Sequence, residues 1–381
     1  MPQRIYYGRN SFKKLGEEVK NRGKKALIIS DNIMQEIGNV DACINNLKKH
    51  NIDSEVYVGV VSEPTDKYVE ESLDLFFKTE CDVLVSIGGG SCIDTAKAVS
   101  VLATNGGYIG DYMGGKKIAT EPPIPHIVVP TTSGSGSEVT DATVIDNTKT
   151  QVKMMIKQPA FLPCAAIADP ILTKTCPQKT TAATGVDALS HAIEAYLSRR
   201  AHPMTDTLAL SAMKLITENL LLAYENGDDL DARENMALGS LQAAIAFSNA
   251  SVCLVHGMSR PLGVNFDIPH GFSNAILLPM VMEASKDYCI DRMADLGRVF
   301  YQGETALSNE EAADFAVKSV KQLCARLEIP NLQTWGVDKD KFEQLIPKMA
   351  QDAIDSGSPA NNPWIPSKHE IEDLYRVCFD Y

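Results

Sequence analysis

The feature that most constrains the fold is a change of texture near residue 170. Before it, short β-branched and aliphatic runs alternate with amphipathic segments; after it, strand-like runs stop. Lys24–Ser30, Ser54–Val60, Cys81–Ile87, Ile124–Val129 and Ala142–Ile145 read as strands, each an apolar run bounded by turn residues. Residues 11–22 carry a helical period, and Glu63-Pro-Thr-Asp66 reads as a turn opening another helix. Such an alternation predicts a Rossmann-like α/β domain with a mostly parallel sheet. Past Asp169-Pro170 and Pro177, apolar residues recur at period 3.6 over 181–198, 205–226, 230–247, 271–286, 289–301, 308–327, 338–353 and 369–379. An all-α second domain is therefore expected, with 1–178 as the α/β part and 179–381 as the helical part. At 381 residues the chain is long enough for both.

The helical part carries the densest chemistry. Asp187 and His191 stand at i and i+4, so a helix projects them from one face. His256 and His270 follow, each directly before a glycine and at an expected element end, and the whole chain has only seven histidines. One carboxylate oxygen with three imidazoles suits Fe(II), Zn(II) or a neighbouring divalent metal better than Mg or Ca. Taken alone, an Asp–His pair at this spacing is more often a helix-surface hydrogen bond or a buried, satisfied pair than a metal site.

In the α/β part, Gly88-Gly-Gly-Ser91 follows a strand and opens a helix, a turn that lets backbone N–H groups approach a pyrophosphate. The spacing is neither G-x-G-x-x-G nor a Walker A loop. Asp31 ends a strand, where it reads as a helix N-cap or as a ligand-facing carboxylate. Thr131-Thr-Ser-Gly-Ser-Gly-Ser-Glu138, wedged between apolar strands, reads as an ordered polar rim rather than a flexible linker.

GVDALSHAIEAY at 185–196 and HGMSRPLGVNFDIPHGFSNAILLP at 256–279, with the glycine turn, resemble the iron-containing (group III) alcohol dehydrogenases from about Tyr6 to about Pro363. The resemblance implies that Asp187, His191, His256 and His270 bind the catalytic metal, Fe(II) or Zn(II). It also implies that Asp31 accepts from the adenosine ribose hydroxyls of NAD and disfavours a 2′-phosphate. Gly89, Gly90 and Ser91 would lie under the pyrophosphate, with Thr131, Thr132, Ser135, Val144 and Lys153 as further cofactor contacts; Lys153 reads equally as a solvated charge. Where the family usually shows Ala and Thr, this chain has Ser133 and Ser135, and both stay small. The larger departure is Arg260, at a position where the family usually carries a histidine that relays protons. Arginine cannot exchange protons near neutral pH. Arg260 therefore either clasps an anionic substrate group or pairs with a local acid such as Asp267, while a water or ribose relays the proton.

The implied activity is metal-polarised hydride transfer between NAD and a small primary alcohol or aldehyde. A metal- and NAD-using lyase of the dehydroquinate synthase type, a reductase for an anionic aldehyde, and a nucleotide-binding protein without turnover are the competing readings. A net charge of −13 argues against nucleic acid or an anionic membrane as main partner. Nine scattered cysteines without a C-x-x-C pair, no signal-peptide core and no membrane-length apolar run lead us to expect reduced thiols and a cytoplasmic protein. The resemblance suggests a homodimer or a higher homo-oligomer.

Overall fold

Three of the sheet strands, Lys25–Ile29, Val83–Gly88 and His126–Pro130, are almost wholly buried. Apolar residues on both faces can be covered only by helices on both sides, and that dictates the first layer arrangement. The computed structural model describes every residue except Gln151 and Glu304. It divides into two units, Met1–Cys176 and Pro177–Tyr381.

The first unit contains strands β1 (Arg4–Tyr7), β2 (Lys25–Ile29), β3 (Asp53–Tyr57), β4 (Val83–Gly88), β5 (His126–Pro130), β6 (Ala142–Asn147), β7 (Val152–Lys157) and β8 (Ala165–Ala168). Six form one sheet in the order β1-β8-β5-β4-β2-β3, with every pairing parallel. β6 and β7 form a separate antiparallel hairpin. Helices α1 (Leu15–Lys20), α2 (Asn32–Glu36), α3 (Asn39–Lys48), α4 (Asp66–Lys78) and α5 (Gly90–Asn105) complete the unit.

Alternate residues of one strand feed opposite cores, as a two-residue period requires. Leu27, Ile29 and Leu84 join Val69, Phe76 and Val99 on the α4–α5 side. Ala26, Ile28, Val83 and Val85 join Leu15, Val40 and Leu47 on the α1–α3 side. The chain runs from β2 outward to β3, then back across to β4, so the winding direction reverses beside β2. In open α/β sheets, ligands lie at the carboxyl ends of the strands at such a reversal.

The second unit is helical: α6 (Gln178–Leu197), α7 (Pro203–Glu225), α8 (Leu230–Ala250), α9 (Leu254–Phe266), α10 (His270–Ser285), α11 (Ile290–Phe300), α12 (Asn309–Arg326), α13 (Leu332–Trp335), α14 (Lys339–Asp355) and α15 (Lys368–Asp380). Its core gathers residues from Ala182 to Phe379 into one cluster. α6 is buried on nearly every face, because its alanines and Gly185 let neighbours approach; a Cβ on Gly185 would fall 2.1 Å from Leu220 Cδ1.

Several details differ from the sequence reading. Residues 11–22 are a 3₁₀ turn, Ser11–Lys14, followed by the short α1. β1, β7, β8 and α9 were not expected, and α9 carries both His256 and Arg260. All nine cysteines are free thiols. No single helix among the described residues is long and apolar enough to cross a membrane.

Candidate active site

Asp187, His191 and Glu194 occupy one stripe of α6, at i, i+4 and i+7. Glu194 has two tasks there. Its Oε1 accepts from Val255 N at 2.7 Å, which satisfies a first-turn amide of α9, whose N-cap Cys253 makes no side-chain cap bond. Its Oε2 accepts from His256 Nδ1 at 2.5 Å. In the neutral ring a proton on Nδ1 makes Nε2, which faces Asp187, the nitrogen with the lone pair.

α10 begins at His270, directly after Pro269. The glycine that follows, Gly271, lies against the backbone of α6: a Cβ there would meet Ala183 O at 2.9 Å. This close approach brings His270 to the Asp187 face. Around Asp187 Oδ1 stand His256 Nε2 at 3.5 Å, His191 Nε2 at 3.8 Å and His270 Nε2 at 4.0 Å. Phe247 stacks on His191 at 4.2 Å between ring centroids, and His191 on His256 at 4.5 Å. The side chains of Asp187, His191 and His256 are buried, whereas His270 is 32% exposed, so the cluster opens on the His270 side.

The His191 and His270 separations are too long for hydrogen bonds, and that of His256 is at the outer limit of one. They suit donors sharing one ion, since ligands at about 2.0–2.2 Å from a metal lie roughly 3–4 Å from each other. The ligand atoms of Asp187, His256 and His270 all fall within 4.8 Å of one another. Electrostatics point the same way. Burial pushes the Asp187 carboxyl up, but the three histidines overcome it and hold the group well below the usual carboxylate range. Burial pulls His256 down, yet Glu194 and Asp187 raise it to about 9. The pocket therefore favours a positive charge, and the donor set fits a divalent metal.

Asn274, one turn beyond His270 and fully buried, points its Nδ2 into the cluster. It lies 2.7 Å from Asp187 Oδ1, 3.1 Å from His256 Nε2 and 3.2 Å from His270 Nε2. Sequence reasoning missed both Glu194 and Asn274. Their signals were present as helical spacings, three residues from His191 and four from His270.

In the first unit, Asp31, the glycine turn and the loop from Thr131 directly follow the carboxyl ends of β2, β4 and β5. Asp31 follows β2 and caps α2, its Oδ1 accepting from Met34 N at 2.8 Å. The cap therefore accounts for Oδ1, and Oδ2 lies 3.5 Å from Cys92 Sγ. Gly89 is the N-cap of α5 and provides no side-chain cap, so the first-turn amides of that helix lack side-chain acceptors there. A Cβ on Gly90 would meet Ser135 Cβ and Oγ at 3.0 Å, so the 131–137 loop lies against the turn that precedes Ser91 only because Gly90 is bare. Thr131 N donates to Gly88 O at 3.0 Å, tying that loop, with Thr132 next to it, to the glycine turn. A Cβ on Gly89 would lie 3.7 Å from Thr132 Cγ2, in ordinary contact, so Thr132 packs directly over the glycine turn. Val144, on β6, donates its backbone N–H to Asp94 at 2.9 Å. Lys153, on β7, is nearly buried and paired with Glu63 at 3.0 Å, so it is not a solvated charge.

Comparison with known proteins decides the family. Residues 2–170 match the family described as iron-containing alcohol dehydrogenase, and residues 181–379 match the C-terminal part of the Fe-containing alcohol dehydrogenase family. The chain is 39% identical to 1,3-propanediol dehydrogenase of Citrobacter freundii, covering 100% of this chain and 98% of that one. It is 35% identical to the NAD-dependent methanol dehydrogenase of Bacillus methanolicus, covering 99% and 98%. It superposes on a crystal structure of 1,3-propanediol oxidoreductase with a TM-score of 0.94 at 37% identity, covering 99% and 98%. The chain belongs to the iron-containing alcohol dehydrogenase family. As a member it is an oxidoreductase acting on CH–OH groups, and the dehydroquinate synthase-type lyase reading falls away.

In this iron-containing alcohol dehydrogenase, Arg260 lies one turn past His256 on α9 and donates from Nη1 to Ser358 Oγ at 3.1 Å. Asp267 does not pair with it: that residue forms the left-handed C-cap of α9.

Proposed function

We propose that the enzyme interconverts a small primary alcohol and its aldehyde with NAD, using one divalent ion held by Asp187, His191, His256 and His270. The observation that carries this reading is the convergence of three imidazole Nε2 atoms on one buried carboxylate oxygen, with Glu194 fixing His256 from behind. When bound, the ion supplies Lewis-acid polarisation of the substrate oxygen and the nicotinamide supplies or takes the hydride. Fe(II) is the metal the family supports, and Zn(II) suits the same donors.

The chain's own residues set the conditions for that chemistry. Asp187 contributes the only carboxylate oxygen of the ligand set, and Glu194 keeps His256 in one orientation. The partial exposure of His270 marks the side from which substrate enters. Asp31 is positioned at the end of β2 to accept from ribose hydroxyls and to repel a 2′-phosphate. Gly89, Gly90 and Ser91 offer amides to a pyrophosphate, with Thr131, Thr132, Ser135, Val144 and Lys153 beside them as rim residues. The helical unit thus holds the metal and the α/β unit the nucleotide. Free thiols support a cytoplasmic location, and the family supports a homodimer or larger homo-oligomer.

The test is oxidation of NADH and of NADPH by the metal-loaded protein with a panel of short aldehydes. Turnover with NADH, at least tenfold faster than with NADPH and lost in Asp187→Asn, is the expected result. Tight NAD binding without turnover on any aldehyde would favour a binding protein instead.

A further inference from the structure

Arg260 is the charged group near the metal cluster that the proposed reaction leaves without a task. It follows His256 by four residues on α9, so the two side chains share a helix face about 6 Å apart along the axis. The residue is half-buried, and burial lowers its pKa while the charge of Glu194 raises it. Its hydrogen bond is to a neutral hydroxyl, Ser358 Oγ. Among the described residues no carboxylate lies within ion-pair distance of the guanidinium. Glu194 is the acid that acts on it electrostatically, and both oxygens of Glu194 are already engaged by Val255 N and His256 Nδ1.

A guanidinium in a partly desolvated place, with one neutral hydrogen bond and no paired acid, is unfavourable unless something else supplies the anion. Charge balance gives the same answer. A divalent ion cancels Asp187 and Glu194, which leaves Arg260 as one uncompensated positive charge. The planar fork of arginine matches an oxyanion, with two parallel N–H donors.

We infer that Arg260 is a substrate-specificity residue that binds a terminal oxyanion, carboxylate or sulfonate, on a short-chain aldehyde or alcohol. The inference rests on the alcohol dehydrogenase reading above and names its substrate class. With a single helical turn between His256 and Arg260, only a few carbons separate the reacting carbon from the anion.

The experiment compares kcat/KM of the metal-loaded enzyme, with NADH, for succinic semialdehyde, 3-sulfopropanal and butyraldehyde, in wild type, Arg260→Met and Arg260→Lys. Wild type should favour at least one anionic aldehyde over butyraldehyde by tenfold or more. Arg260→Met should reduce that ratio by roughly 10- to 100-fold, mainly through KM, as expected for one charge-assisted pair. Arg260→Lys should recover part of it; which anion is preferred separates carboxylate from sulfonate. Calorimetric titration of the metal-free protein with 4-hydroxybutyrate and with 3-hydroxypropanesulfonate reads the same contact without turnover. At least one should bind wild type more tightly than Arg260→Met. An unchanged ratio in Arg260→Met, or a raised KM for NADH with no change in the ratio, overturns the inference while leaving the dehydrogenase reading intact. Failure to reduce any of the three aldehydes counts against the dehydrogenase reading, and the calorimetric comparison then decides the anion contact alone.

Discussion

Glu194 shows how one side chain couples folding to chemistry. Its carboxylate completes the amide bonding of α9 with one oxygen and orients a proposed metal ligand with the other. Glu194→Gln keeps the shape but removes the charge that His256 Nδ1–H faces. Metal affinity should fall about 10- to 100-fold, as for other groups that support a metal-binding histidine, and chelator competition measures it. The same contact sets a pH dependence. Without metal, His256 is raised from its ordinary 6.5 to about 9 by Glu194 and Asp187 against the pull of burial. A histidine raised in this way stabilises the metal-free fold fully below pH 6.5, and that contribution is lost as pH rises through about 9. Metal binding must displace the proton, so apparent Zn(II) affinity should climb about tenfold per pH unit and level off near the raised pKa. A flat profile from pH 6 to 9 would mean that His256 is neutral without metal. Asp187 and His191 were legible because their spacing falls within one helix. Glu194 continues the same stripe, but a helix glutamate has so many solvent-facing uses that spacing alone does not single it out.

At the scale of elements, the glycine after each later histidine has a packing reason. Gly257 lies against Pro359, and Gly271 against the carbonyl of Ala183, so α9 and α10 bring their first turns close to neighbouring chain. Gly271→Ala puts a methyl 2.9 Å from a backbone oxygen that cannot rotate away. We expect a stability loss of about 1–3 kcal/mol from overpacking, measured by urea unfolding, and weaker metal binding as His270 moves off Asp187. Unchanged affinity would mean that α10 is positioned by other contacts. α11, α12, α14 and α15 could be read from the sequence because each carries an apolar stripe at period 3.6 over three or more turns. α9 escaped notice because Gly257, Pro261 and Gly263 interrupt its period within 13 residues. β8 escaped because Ala-Ala-Ile-Ala carries little strand preference, and its pairing is imposed by β1 and β5 on either side. β1 has an exposed pattern and becomes a strand only through β8.

For the molecule as a whole, both fold class and family were readable, because the resemblance runs through both units and each has its own core. Metal identity and substrate were not, since the same nitrogen and oxygen donors accept several divalent ions and the substrate meets only a few side chains. If the four ligands hold an ion in the folded state alone, saturating metal should stabilise that state by about 2.7 kcal/mol at a hundredfold excess over Kd. The shift should appear in the thermal unfolding of wild type and be absent in His270→Ala. The most direct test of the central claim is a metal titration of chelator-stripped protein, kept anaerobic, with NADH oxidation on a short aldehyde as the readout. Rates that rise from near zero to a plateau at one equivalent of Fe(II) or Zn(II) per chain, and no such rise in His270→Ala, are the predicted result. Full turnover in stripped protein, unaffected by added metal or by the substitution, would contradict it.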